Sequence, residues 1–482
     1  MVALAYIFSF LYMGLVIVVG ETVQKKTGAD PEMTRKVEHI ATSASWVVAY
    51  LLAGPTFHLI IINALAFVAL TVLTFGNLMK SAERTDADKS YGLFYFGLST
   101  FLTILIAFFL GETFIVYSGV AYYCLALADG LAPITARLFG KANIKIYAPK
   151  SLVGFLTVYI VSVIVAFVFN GIFALDLSGL FMFSLGSVCA HAELYGRKGI
   201  DNLLVNFLSF AYLVLNHYGL VPVEFQIACI IVMFFTPFAA GTKSLSFYGG
   251  LMAIIYLALS SFFGHTALVV MIFGLFFVEA IISKVTTKIF NQRSGAVKEK
   301  HSRGLYQILA NAFAPMVCTA LYYFTNSQVF LFGAIVSLAE EFSDSVASDV
   351  GRLSGKPPRD ILTLKHIDAG ISGGVSVLGL VSALLASFMA VAIGYAFGVM
   401  DAINYLILSA LAFGGTIIDS LLGSSIQVLY KCPVCNIFTE NRTHCDSDAV
   451  KVKGVTAIDN STVNLLSGVI IALVTIGLSF II

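Results

Sequence analysis

Apolar runs of 16 to 28 residues recur along the whole chain, separated by turns of two kinds. One kind holds the lysines and arginines: residues 21–36, 76–92, 129–150, 193–203, the neighbourhood of Lys243, 284–303, 343–369 and 420–460. The other kind, near residues 53–57, 110–113, 169–178, 216–224, 263–265, 324–328 and 397–402, holds none. The two alternate strictly. A hydrocarbon core is crossed by about 20 apolar residues in a helix, and only helices or closed barrels satisfy their backbone there. The pattern therefore predicts an all-α polytopic integral membrane protein of about sixteen transmembrane helices. Basic loops stay in the cytoplasm, which puts both termini outside, and the expected location is a prokaryotic cell membrane. The first run, Ala3 to Gly20, lacks a basic leader and a small-residue cleavage site, so it is expected to be the first helix.

Composition agrees with the pattern. The 482 residues are 59% hydrophobic and 11% charged, with mean hydropathy +0.93, where soluble domains carry about 25% charged residues. A net charge of +1 offers no concentrated basic surface, which excludes nucleic acid as a partner. Seven cysteines, mostly inside apolar runs, do not form a disulfide framework; Cys124, Cys189, Cys229 and Cys318 read as packing residues.

The chain repeats itself. "DGLAPITARLFGK" (129–141) and "DSVASDVGRLSGK" (344–356) agree at six of thirteen positions, and "IDNLLVNFLS" (200–209) and "IDNSTVNLLS" (458–467) at seven of ten. "SYGLFYF" (90–96) is similar to "SRGLYQI" (302–308), and Lys150 stands at the same offset from Lys365 as Asp129 from Asp344. These matches predict two homologous tandem modules, 1–222 and 223–482, of like orientation because every motif falls in a basic loop. The second has gained a Cys-rich loop, 430–450.

Ionisable groups at the ends of spanning segments are functional candidates by default. The first module gathers Asp129, Lys141, Lys150, Ser151, Gly154, Glu193, Asp201, Asn202 and Asn206 on one face. The second gathers Asp344, Asp349, Lys356, Lys365, Asp368, Asp419, Asp459, Asn460 and Asn464, with Gly373 and Gly374. Acids and asparagines supply hard oxygen ligands for Mg2+, here Asp129, Asp201, Asp344 and Asp459. Lysines, helix starts and glycines suit nucleotide phosphates: Lys141, Ser151, Gly154 and Asn202, then Lys356, Gly373, Gly374, Asn460 and Asn464. The expected catalytic groups are Asp129, Lys150, Glu193 and Asp201, then Asp344, Asp349, Lys365, Asp419 and Asp459. That inventory fits phosphoryl or nucleotidyl transfer. Against it stands a solvated charged face, the better reading for Arg137, Lys145, Arg197 and Arg359. No Walker A sequence is present: "GGVSVLG" lacks the Gly-Lys-Ser/Thr ending.

Two smaller groups stay open. Arg35 and His39, four apart in "TRKVEHI", either hold a phosphate or form a basic collar at the headgroups. Cys432, Cys435, His444 and Cys445 either bind structural Zn2+ or are free thiols; the adjacent His-Cys pair reaches one ion only through a sharp turn.

"RKVEH", "YGLFYF", "ADGLAPITARLFGK", "KSLVG", "HAELYG" and "GIDNLLVN" resemble the phytol kinase and dolichol kinase family, relatives of CTP-using cytidylyltransferases. Pro133 and Ala148–Pro149 depart from its pattern. The second module, through "RGLYQILANAF", "DSVASDVGRLSGKPPRDILTLKHIDAGISGGVSVLGLVSALLA", "GGTIIDSLLGSSIQ" and "DNSTVNLLSG", is similar to the membrane family that includes phytyl-phosphate kinase; Asp349 stands where that pattern has Glu. The resemblance implies a fusion of two salvage kinases. An isoprenoid alcohol becomes its monophosphate and then its diphosphate, with CTP as donor and Mg2+. It also implies substrate contacts at Arg35, His39, Arg303 and Asn311. The alternatives are a CDP-lipid-forming cytidylyltransferase and a transporter with an internal repeat, although transporters place their sites at the midplane.

The sidedness is directly testable. Single cysteines at positions 145, 298 and 359 are expected to react with an impermeant thiol reagent only from the cytoplasmic side. Labelling of any one from outside would overturn the parallel arrangement.

Overall fold

The computed structural model describes residues 2–28, 30–75, 91–140, 144–147, 150–294, 303–368 and 370–479. The fold is helical, as the apolar runs predict. Among the described residues eleven helices are long and apolar enough to cross a membrane, fewer than the sixteen runs. Part of the difference is chemical. Phe247–Phe263 is apolar but has only 17 residues, and the 24-residue helix Gln328–Gly351 carries Glu340, Glu341, Asp344 and Asp349.

The chain forms two compact units, residues 1–241 and 242–482. The repeat puts the module boundary after residue 222, and the compact units divide after Gly241. Helix Val223–Gly241 packs on Gly179–Tyr195, held by polar contacts that apolar patterning does not reveal: Ser187 donates to the Cys229 carbonyl, and His191 Nε2 lies 3.0 Å from Thr236 Oγ1.

Several helices start on a side-chain cap. Ser151, Ser178, Ser246 and Ser376 accept from the amides of Gly154, Phe181, Gly249 and Gly379, and Asp401 accepts from Asn404. Each cap satisfies an amide that has no partner inside its own helix. The apolar side chains then divide. Phe109, Ile172, Phe234, Phe324 and Val377 are exposed, a surface suited to lipid. Inside, small and hydroxylated residues let helices approach closely. Ser343 joins three helices by donating to the Ala383 carbonyl and accepting from Ser387 (2.9 Å) and Thr416 (3.0 Å).

One polar helix occupies the middle of each unit. In 1–241 the run from Glu112 to Leu138 is interrupted by a π-helical stretch, Cys124–Asp129, and this places Asp129 inside the bundle. π-bulges of this kind are frequent at functional sites. In 242–482 the helix Gln328–Gly351 contacts Thr266–Ser294, Leu305–Thr325, Val377–Ala396, Ala402–Ser425 and Asn460–Ser479. Surrounded in this way it can carry acids that a lipid-facing helix could not. The Cys-rich loop contains the antiparallel sheet Phe438–Thr439, Leu429–Lys431, Val450–Lys453.

Gly119 tests the close packing of residues 1–241. A Cβ there would meet the Trp46 ring at 2.4 Å. Overpacking costs about 1–3 kcal/mol, so Gly119→Ala should lower the thermal midpoint in detergent. An unchanged midpoint would show that the Trp46 ring moves aside freely.

Candidate active site

In residues 1–241 the acids are met by lysines. Asp129 is buried and accepts from Lys36 Nζ at 2.5 Å, with His39 Nδ1 at 3.7 Å. Lys150 donates to Glu193 at 2.5 Å and to Asp201 at 3.0 Å. Oxygens of Asp129, Glu193 and Asp201 lie within 4.8 Å of one another. Burial by itself would lower the Lys150 ammonium, but Glu193 and Asp201 outweigh it and hold it above its ordinary value. It therefore stays protonated at physiological pH.

Several expected ligands here have local duties. Ser151 caps its helix, and a Cβ on Gly154 would stand 3.6 Å from the Ala132 carbonyl. Asn202 donates to the Gly92 carbonyl at 2.7 Å. Buried Asn206 has no hydrogen-bond partner for either amide atom among the described residues. Lys141 and the Arg35 side chain lie outside the described residues. Arg35 and His39 were paired by a spacing of four; Lys36 and His39, three apart, share a face equally well, and Lys36 is the one that meets Asp129.

Residues 242–482 enclose a cavity of about 580 Å³. Its lining includes Asp344, Asp349, Asp419, Asn460, Asn464, Arg303, Asn311, Lys356, Gly373 and Gly374, ten of the positions singled out from the sequence. Beside it a space of about 10 Å³ is bounded by Glu340, Glu341, Asp344, Asp419, Asn311 and Asn464, room for about one small ion or water. Ser467 donates to Asp419 at 3.3 Å, Asn311 to Glu341 at 2.5 Å and Asn464 to Asn311 at 3.3 Å. Arg303 pairs with Glu279 and lies 3.9 Å from Glu341. Among the described residues no ion pair reaches Glu340, Asp344 or Asp419.

Three expected members lie elsewhere, exposed Asp368 among them. Lys365 is exposed, and exposed Asp459 accepts from the amide and hydroxyl of Thr462 as a helix cap. The equivalence of Lys150 and Lys365 is also corrected. Ser376 caps a helix as Ser151 does, and a Cβ on Gly379 would meet the Ala347 carbonyl at 3.2 Å, as one on Gly154 approaches that of Ala132. By this contact the counterpart of Lys150 is Val375; equal sequence offset misled because the intervening loops differ in length.

Glu340, Glu341 and Asp360 were not anticipated. The first two were legible as charges inside an apolar run. Asp360 accepts from Ser424 at 2.6 Å, from the amides of Leu362 and Thr363, and from the Thr363 hydroxyl. Burial would raise its carboxyl, but these bonds hold it below its ordinary value. Gly373 lies in the same loop with φ +85°, and a Cβ there would meet Ser424 at 2.5 Å. Both glycine and acid are needed for the loop to close on Ser424.

The profile of a family described as "Integral membrane protein DUF92" matches residues 230–472. A phytol kinase from Synechocystis sp. is 25% identical over 201 residues, 40% of this chain and 83% of that one. An uncharacterized membrane protein from Methanocaldococcus jannaschii is 27% identical over 159 residues, covering 33% and 64% of the two chains. Protein VTE6, chloroplastic, from Arabidopsis thaliana is 30% identical over 140 residues, covering 27% and 41%. The latter two are thus spanned over less than two thirds of their length. No solved structure matches.

The Lys150 bridge carries a stability prediction. Removing one partner of a buried ion pair costs about 3–5 kcal/mol, so Lys150→Met should strongly lower the thermal midpoint. Adding Glu193→Gln should restore part of it, and no recovery would show that the lysine acts through packing alone.

Proposed function

The chain belongs to the DUF92 family of integral membrane proteins, and from that premise we propose that it is a kinase for an isoprenoid alcohol. It phosphorylates the alcohol to the monophosphate and then to the diphosphate, with CTP as donor and Mg2+. The likeness to a phytol kinase supports the substrate class. The observation that carries the reaction type is the cavity in residues 242–482, where Asp344, Asp419 and Asn464 share one wall system with Arg303, Arg352 and Lys356. Carboxylates and cations lining the same space suit a metal-nucleotide better than either suits a neutral solute.

The fit to Mg2+ differs between the units. Glu340 and Asp419, which are buried, and half-buried Asp344 have no ion pair among the described residues, and grouped carboxylates withdrawn from water without a counter-charge are costly. Asp344 and Asp419, with Asn464, are the residues that would hold Mg2+. When bound, it supplies charge neutralisation on the donor phosphates. In residues 1–241 Asp129 and Asp201 already face Lys36 and Lys150. There the lysines have to turn towards a triphosphate before those acids can accept a metal.

In the reaction the acceptor oxygen bonds to the γ-phosphorus while the bond from that phosphorus to the β-bridging oxygen breaks. CDP leaves, and the alcohol proton passes to a carboxylate. Residues 1–241 are assigned the alcohol. Residues 242–482 are assigned the monophosphate, an order that rests on the family resemblance; Arg303, Arg352 and Lys356 on the cavity are the cations that would face its dianion.

Purified protein supplied with labelled geranylgeraniol, CTP and Mg2+ should yield lipid monophosphate, diphosphate and CDP. Release of CMP would make it a cytidylyltransferase, and absence of any phosphorylated lipid would overturn the reading. Loss of a catalytic carboxylate costs about 10²–10⁴-fold. Asp344→Asn should therefore accumulate monophosphate. Asp129→Asn should form none from alcohol, yet convert supplied monophosphate to diphosphate. Unreacted alcohol in the Asp344 variant would reverse the assignment.

A further inference from the structure

The Cys-rich loop has a geometry that its sequence left open. Strands Leu429–Lys431 and Phe438–Thr439 pair around Cys432-Pro433-Val434-Cys435-Asn436. There the Cys432 amide donates to the Ile437 carbonyl, the Asn436 amide donates to the Cys432 carbonyl, and Asn436 has φ +59°. A second hairpin pairs Thr443–His444 with Ser447–Asp448. Its two turn residues, Cys445 and Asp446, both have φ +53°, as the tight two-residue hairpin turn requires. This is the sharp turn that lets adjacent residues reach one point.

The side chains do converge. His444 Nδ1 lies 3.4 Å from Cys435 Sγ and 3.2 Å from Cys445 Sγ. Those atoms and Cys432 Sγ all lie within 4.8 Å of one another. A tetrahedral zinc site with bonds of the usual length has ligand-to-ligand edges of about 3.5–3.8 Å, so a small contraction or expansion suffices. Leu429 and Tyr430 are buried at the base of the loop, but beyond them Val434, Ile437, Val450, Val452 and Val455 are exposed. A segment this poor in buried apolar surface needs a staple to hold one conformation.

We propose that Cys432, Cys435, His444 through Nδ1, and Cys445 bind one Zn2+, and that this ribbon holds Glu440 on the cavity wall. Glu440 sits between the two ligand pairs in sequence and lines the cavity with Asp419 and Asn464. It accepts from Gln427 Nε2 at 2.8 Å, and Gln427 Oε1 accepts from Ser372 Oγ at 2.7 Å. The ribbon is thereby tied to the glycine loop on the same cavity. Glu440 is a positioning or cavity-wall residue whose place depends on a metal that takes no part in the transfer chemistry.

The test uses the full chain purified in detergent under reducing conditions. Elemental analysis should find about one zinc per chain, lost in Cys432→Ser and in Cys435→Ser and retained in Glu440→Gln. Cobalt substitution of the wild-type protein should give thiolate-to-cobalt absorption, a readout independent of whether the variants fold. Hydrogen exchange after chelation should quicken across 429–453 and in the 371–374 turn. Absence of both zinc and the cobalt band would overturn the site. Faster exchange confined to 432–445 would overturn the link to the cavity.

Discussion

A carboxylate withdrawn from water must find a counter-charge, and this constraint organises both units. Around Asp129 the answer is built in: Lys36 and Lys150 come from distant parts of residues 1–241 to meet three acids. Around Asp344 and Asp419 it is left open among the described residues, since Arg303 on the same cavity is engaged by Glu279 and Glu341. The first arrangement contributes to stability at rest. The second leaves grouped carboxylates without a counter-charge, which is costly.

The bundle makes room for these acids by hiding them. Each lies on a helix enclosed by other helices, where serines, threonines and small residues allow close approach. The π-helical stretch before Asp129 and the serine caps at Ser151 and Ser376 fix where each acid and each following helix begins. Ser151 with Gly154 and Ser376 with Gly379 repeat one contact in the two units. What surrounds that contact has diverged: Lys150 precedes one cap and Val375 the other. The packing repeats while the charge beside it does not.

Sequence alone determined the membrane class, the helical character and ten of the residues that line the cavity. Apolar length and charge spacing are local properties that a bilayer reads directly. The sequence also pointed to Asp129, Lys150, Glu193 and Asp201, and these do meet. It was silent on which acids are paired, because Lys36 lies 93 positions from Asp129 and helical spacing does not say which face turns inward. Only the tertiary structure divided the compact units after Gly241, placed Lys365 and Asp459 outside the cavity, and brought Asp360 and Glu440 to attention. Its physical reason is that charge compensation acts through space, so partners are chosen by packing rather than by order along the chain.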